Sequence, residues 1–266
     1  MSLTAVLETP EARAFLKSRI ARPAHFTVPK VRVPAAGANP WLLGIAFDYA
    51  FRLGLAARHT CEEQSWVAEG AAGRLRLQRS DHDAARAEAV LAEASDTLAD
   101  FGPDQELAGA HARACYLLSG LDLVVRPGCV DHVGVEPSEA DLDELTALYG
   151  VVPWAQFAPQ RRLVLNPTFG DGSRLVGGGD ADIVLDDLLI DLKTSRNTGL
   201  VTRDLRQIVG YALLANSYRV DSKLPQEPIK QVALYQARAA ALTAWPLSEI
   251  CRPQCQLEII DYLRGP

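Results

Sequence analysis

"GGGDADIVLDDLLIDLKTS", from Gly177 to Ser195, is apolar enough for a core yet carries five aspartates and one lysine. Strands are depleted in aspartate, so these acids need places of their own. Asp186-Asp187 is read as a two-residue turn, because aspartate tolerates left-handed backbone; it is a weaker signal than Asn-Gly. With the turn there, Leu185 pairs with Leu188, Asp182 falls opposite Asp191, and Asp180 falls opposite Lys193. Alternation sorts the hairpin into two faces. One carries Ala181, Ile183, Leu185, Leu188, Ile190 and Leu192; the other carries Asp180, Asp182, Val184, Leu189, Asp191 and Lys193. A one-residue slip would mix the faces, so the apolar set supports this register.

Aspartates directly opposed in an antiparallel pair have Cβ atoms about 5 Å apart and repel each other. Water and Lys193 offset part of that repulsion. A divalent cation offsets it best, since Mg²⁺ prefers carboxylate oxygen and often takes only one or two protein carboxylates. Lys193 leaves the same face as Asp191. Its ammonium would therefore stand beside a metal-bound carboxylate, where it steers a water or stabilises transition-state charge. The alternative is a solvated hairpin face with an incidental ion pair.

Other strands are expected at residues 163–165, 174–176 and 231–236, the last of these closing the sheet. Between the hairpin and that last strand, residues 203–216 read as a helix with Thr202 as its cap. Gln207 and Tyr211, four apart, share one face of it, and Arg203 lies one turn earlier. Upstream, apolar residues at three- and four-residue steps predict helices over 10–20, 41–59, 84–101 and 106–121. Ser138 followed by Asp141 resembles a capping box opening a helix to residue 149. The expected fold is therefore α/β (α+β), a mixed central sheet flanked by helices. Residues 1–150 form a mostly helical region packed on a core of residues 151–266, the two making one compact unit.

Composition narrows the classes. The 266 residues are 48% hydrophobic with a formal net charge of -6, so no global basic field advertises nucleic acid. Arg161, Arg162, Arg196, Arg203 and Arg206 can still form a local basic rim, or be scattered surface arginines. Trp41 and Trp154 are expected in the core rather than as base-stacking platforms. The five cysteines, Cys61, Cys115, Cys129, Cys251 and Cys255, are too scattered for a disulfide framework. Residues 1–20 hold no continuous apolar stretch and nothing is long enough to span a membrane, so a cytoplasmic protein without a membrane partner is expected. The glycines of "VGGGD", residues 176–180, match neither a dinucleotide fingerprint nor a P-loop.

An Asp, a D-x-K on the next strand and a Q-x-x-x-Y helix after it resemble the PD-(D/E)XK nuclease superfamily, in its RecB-like and CRISPR-associated exonuclease branch. Asp182, three after Gly179, matches the metal-binding Asp of a G-x-x-D-like motif; Asp191 and Lys193 match D-x-K; Gln207 and Tyr211 match Q-x-x-x-Y. These residues lie within about a third of the chain. The resemblance implies a restriction-endonuclease-like core and Mg²⁺- or Mn²⁺-dependent hydrolysis of nucleic acid, DNA ahead of RNA. Asp182, Asp191 and the Leu192 carbonyl would hold the metal, with Lys193 at the attacking water and Gln207 and Tyr211 orienting the strand or the lysine. The branch often has G-x-x-x-H on an early helix. Here "GIAFD", Gly44 to Asp48, offers Asp48 in place of the His, as a ligand or as a structural ion-pair partner; Glu139 and Glu144 are the alternatives. An iron–sulfur cluster is not expected, because a third late cysteine is missing and four thiolates are usually needed. A catalytically idle nucleic-acid-binding or scaffold subunit is the second functional reading, a metal-binding module unrelated to nucleic acid the third. The helical first half is a candidate surface for a protein partner.

Overall fold

The structure is a computed structural model and describes residues 2–36, 39–63, 66–78, 80–125 and 132–265. Among them six strands form one mixed sheet in chain order: β1 (Glu62–Glu63), β2 (Leu163–Leu165), β3 (Ile183–Leu185), β4 (Leu188–Lys193), β5 (Gln231–Gln236) and β6 (Ala241–Pro246). β1 runs parallel to β2 and β4 parallel to β5; the other neighbours are antiparallel. The helices are α1 (Leu3–Leu7), α2 (Pro10–Leu16), α3 (Pro40–Arg58), α4 (Ala71–Leu77), α5 (Asp81–Leu98), α6 (Ala110–Val125), α7 (Glu139–Gly150), α8 (Asp171–Leu175), α9 (Thr202–Tyr218), α10 (Leu247–Ile250) and α11 (Pro253–Arg264).

Parallel neighbours cannot be joined by a tight turn and need a crossover. Between β4 and β5 that crossover is α9. Between β1 and β2 it is the whole run from α4 to α7, so the early helices are threaded into the sheet by the chain itself.

The hairpin register is the expected one, with Leu185↔Leu188, Val184↔Leu189 and Ile183↔Ile190. Asp186 sits in the left-handed region at φ 54. Its carboxylate accepts from the backbone N–H groups of Gln160, Arg161 and Arg162. The Asp187 carbonyl accepts from the backbone N–H groups of Lys230 and Gln231 at the start of β5. Two of the five aspartates are thus turn residues, each with a backbone task.

Neither face of the hairpin is wet. Ile183, Leu185 and Ile190 join the core formed with α3, α5, α6 and α7, together with Ala233 and Tyr235 of β5. Val184 and Leu189 join a second core with α1, α2, α9 and α11, together with Val232 and Leu234. β4 and β5, a parallel pair inside the sheet, are covered on both sides, and the alternation along them divides side chains between two layers. Ala181 departs from the expected alternation: it packs in the second core, beside Val184 rather than beside Ile183.

Several local expectations meet corrections. Residues 174–176 are not a strand; they end α8 and its turn, because Gly177 and Gly178 take φ 74 and 128 and reverse the chain. Thr202 is the first residue of α9, and Val201 stands at the cap position without a side-chain bond. The strand at 231–236 is not the last: Ala240 adopts a left-handed turn at φ 50 and β6 follows. Alanine carries no turn signal, so this hairpin was not legible. The short β1, α1, α4 and α11 were also not anticipated. The Ser138–Asp141 capping box forms as expected.

α3 positions the site. Asn39 caps it, accepting from the backbone of Trp41 and Leu42, and Pro40 occupies a first-turn position where a missing N–H costs nothing. Leu43, Ala46, Phe47, Ala50, Phe51 and Leu55 are buried, which presses the helix onto β4 and β5. At Gly44 the approach is close: a Cβ there would lie 3.3 Å from the Thr194 hydroxyl.

Candidate functional site

The site lies where β3 and β4 part. Their ladder ends at Ile183↔Ile190, one step short of the expected Asp182–Asp191 pair. Beyond it the β3 chain stays with β2's extension: Asn166 N–H donates to the Asp182 carbonyl at 2.9 Å, Ala181 N–H to the Pro167 carbonyl at 3.0 Å, and Asp180 bridges Thr168. β4 continues beside β5 as far as Lys193. The sheet therefore forks, and an amide on β4 is left without a strand partner. The Asp182 carboxylate fills that place, accepting from Leu192 N–H at 2.6 Å. In a strand the N–H and C=O of one residue face the same neighbour, so the Leu192 carbonyl also faces the fork.

Asp191 and Lys193 leave β4 together, as expected, and pair at 2.7 Å. The ammonium is also 3.8 Å from Asp204 and donates to Gln207 Oε1 at 3.1 Å. Tyr211, one turn beyond Gln207 on the same helix face, is buried beside Phe169. The lysine–glutamine bond thus ties β4 to α9, with Tyr211 one turn further along the same helix face. Asp204 was not foreseen, although its three-residue spacing from Gln207 places it on the same helical side.

From the other layer, α3 brings Asp48. Its Oδ2 accepts from Arg52 at 2.7 Å, and Arg52, 2% exposed, also pairs with Glu63 of β1 at 3.1 Å. The other carboxylate oxygen, Asp48 Oδ1, is buried and accepts no hydrogen bond from any described residue. Asp48, Arg52, Asp122, Asn166, Asp180 and Asp182 line a cavity of about 130 Å³. The Arg52–Asp48 spacing of four was readable on a helix; Asp122 and Asn166 had no local signal. A second cavity, about 550 Å³, shares Leu192 with the first and is lined also by Lys193, Gln207, Arg196, Arg203, Arg238 and Trp41.

Like charges and loss of water set the electrostatics. Burial, then the Asp191 and Asp48 carboxylates, push the Asp182 pKa well above the ordinary aspartate range. Burial also raises Asp191, against the pull of Lys193. Asp204 is raised by burial too, again opposed by Lys193. Burial works against the Lys193 ammonium, but Asp191, Asp204 and Asp182 outweigh it and hold its pKa above the ordinary lysine value. The lysine keeps its protons at neutral pH, while the carboxylates hold theirs longer than usual.

Other expected residues fall elsewhere. Glu144 is not at the fork: it forms a buried ion pair with Arg238 and accepts from Ala36 N–H. Glu139 is exposed in the first turn of α7. Asp180 bridges Thr168 rather than facing Lys193 across a ladder. Of the expected basic rim, Arg162 is buried and donates to the carbonyls of Asp186, Pro225 and Glu227. Arg161 pairs with Glu227 and Arg206 with Glu8. Arg196 and Arg203 alone of the five line the cavity beside Lys193. Trp41 is not a core residue; it is 69% exposed. Trp154 is partly buried under the Arg58 guanidinium. Cys61 and Cys115 pack in one core and Cys251 and Cys255 in the other, while Cys129 lies outside the described residues.

Among the described residues no group of three or more His, Cys, Asp or Glu side chains makes a ready metal cage. The oxygens that could hold a cation are hard and few: Asp182 and Asp48, which line one cavity with Leu192, and Asp191 on the adjacent strand. Their mutual repulsion and the bare Asp48 Oδ1 fit a cation of the Mg²⁺ kind, held by one or two carboxylates and water. No described helix is long and apolar enough to cross a membrane. Comparison with protein-family models, with curated proteins and with solved structures finds no match.

Proposed function

We propose that the chain is a Mg²⁺- or Mn²⁺-dependent nuclease of the PD-(D/E)XK type, RecB-like, hydrolysing phosphodiester bonds of DNA. A restriction-endonuclease-like core, in which a forked mixed sheet carries the active site, belongs to the same reading. The observation that carries it is the fork itself: Asp182 on the Leu192 amide, with Asp191 and Lys193 on the strand beside it and Gln207 on the ammonium. The acid, the D-x-K and the Q-x-x-x-Y thus meet at one place from three elements.

A divalent cation held by Asp182, Asp191, the Leu192 carbonyl and Asp48 would polarise the phosphodiester and acidify a bound water. The chain's own residues divide the remaining work. Lys193 keeps its charge, so its part is to stabilise negative charge on the phosphate rather than to remove a proton. Gln207 fixes the ammonium, and Tyr211 stands one turn beyond it on the same face of α9. Asp204 supplies a second anion that keeps Lys193 ionised.

A second reading, a catalytically idle nucleic-acid-binding subunit on the same fold, draws on one observation. Arg52 already neutralises Asp48, and Lys193 already neutralises Asp191. Such a site is partly satisfied without metal. Labelled single- and double-stranded DNA and RNA, incubated with Mg²⁺ or Mn²⁺, separate the readings. The nuclease reading expects cleavage that Asp191→Ala and Lys193→Ala abolish. Cleavage by neither metal, or equal cleavage by parent and variants, would remove it.

A further inference from the structure

Trp41 and Asp48 are seven residues apart on α3, so they stand on one face, two turns and about 10 Å apart along the axis. Gly44 lies between them, packed against Thr194 just beyond β4. This face runs past both cavities: Asp48 and Gly44 line the smaller one, Trp41 the larger. A tryptophan 69% exposed is unusual for so large an apolar side chain, and here it shares a cavity with Lys193, Arg196 and Arg203. Both arginines are exposed. An aromatic face beside guanidinium groups is the arrangement that holds single strands: bases stack on the ring while cations track the phosphates.

We propose that Trp41 is a base-stacking platform for a single nucleic-acid strand, with Arg196 and Arg203 on its phosphates. The platform delivers the backbone to Lys193. It rests on the nuclease reading for the nature of its ligand and deepens it by assigning the strand's path. At roughly 3.4 Å per stacked nucleotide, a spacing of about 10 Å sets the stacked base about three nucleotides from the phosphate at the fork.

The test is binding rather than turnover. Fluorescein-labelled oligo(dT) is titrated into the full chain in EDTA, so that cleavage does not enter. Trp41→Ala should weaken binding about 10-fold, within the range measured for one base–aromatic stack, and Trp41→Phe should restore most of it. An abasic strand of equal length should bind the parent and Trp41→Ala alike. Replacing Arg196 and Arg203 by Gln should lower the salt slope of log K by about 1.4, the value for two phosphate contacts on a single strand. Unchanged melting of Trp41→Ala is expected from its exposure and excludes misfolding as the cause. Equal oligo(dT) affinity for parent and Trp41→Ala would overturn the platform, as would abasic strand binding the parent as tightly as oligo(dT). Trp41-dependent binding without cleavage in any metal would support the platform and overturn the nuclease reading. Cleavage with Trp41-independent binding would do the reverse.

Discussion

Asp182→Asn should make the metal-free protein more stable at neutral pH. The asparagine is nearly the same shape, and its carbonyl oxygen can keep the Leu192 amide bond that Asp182 makes at 2.6 Å. What it removes is a negative charge among Asp191 and Asp48. A like charge within the roughly 6 Å over which neighbouring groups perturb one another repels by about 3 kcal/mol at an effective dielectric of about 20, and Lys193 screens part of this, leaving about 2 kcal/mol. The direction with pH follows from linkage. A carboxyl whose folded pKa is raised binds its proton more tightly in the native state. Its favourable contribution is present at low pH and is lost as pH climbs from the ordinary aspartate value through the raised one. The variant should therefore gain on the parent across that window and match it below about pH 4. For a chain of this length about 2 kcal/mol corresponds to a melting temperature higher by ~4 °C. Calorimetry or circular dichroism in EDTA at pH 4 and pH 7.5 measures it. In excess Mn²⁺ the order should reverse, since ligand binding stabilises only a chain that can hold the ion. A variant that melts below the parent at pH 7.5 in EDTA, or a difference independent of pH, would show that no repulsion at Asp182 burdens the metal-free fold.

Three further perturbations bear on the same structure. Lys193→Met strands Asp191 and Asp204 without their shared cation and should cost about 3 kcal/mol in urea unfolding at pH 7.5; adding Asp191→Asn should recover part of that loss. Glu144→Gln leaves the Arg238 guanidinium buried without its carboxylate and should cost about 3–5 kcal/mol in urea unfolding. Gly54→Ala forces a Cβ to within 2.5 Å of Trp154 Cη2, and should cost about 1–3 kcal/mol by overpacking; a melting temperature within a degree of the parent would show that the Trp154 ring yields freely.

Much of the architecture was legible because it is local. The α3 face, the Ser138 capping box, the Asp186-Asp187 turn and the hairpin register rest on periodicity, capping and turn chemistry that act within a few residues. The turn in particular fixed which side chains share a layer, since Leu185↔Leu188 allows one pairing and excludes its neighbours. β6 escaped notice because its turn is built on Ala237–Ala240, residues with no turn preference, held by pairing with β5. The two-sided burial of the hairpin was likewise hidden, because Val184 and Leu189 beside aspartates look like a wet face until α9 is laid over them.

For the candidate site, the sequence alone determined that Asp191 and Lys193 leave one strand face and that Gln207 and Tyr211 share a helix face, because spacing within one element sets direction. Which of Asp48, Glu139 and Glu144 approaches them was decided only by packing: α3 presses onto β4, while Glu144 is drawn to Arg238. The parting of β3 from β4 was also a tertiary outcome. β2 and its extension hold Ala181 and Asp182 on one side while β5 holds β4 on the other. The ladder opens because two sets of backbone hydrogen bonds pull in different directions, and the aspartate carboxylate takes the amide that the departing strand leaves behind.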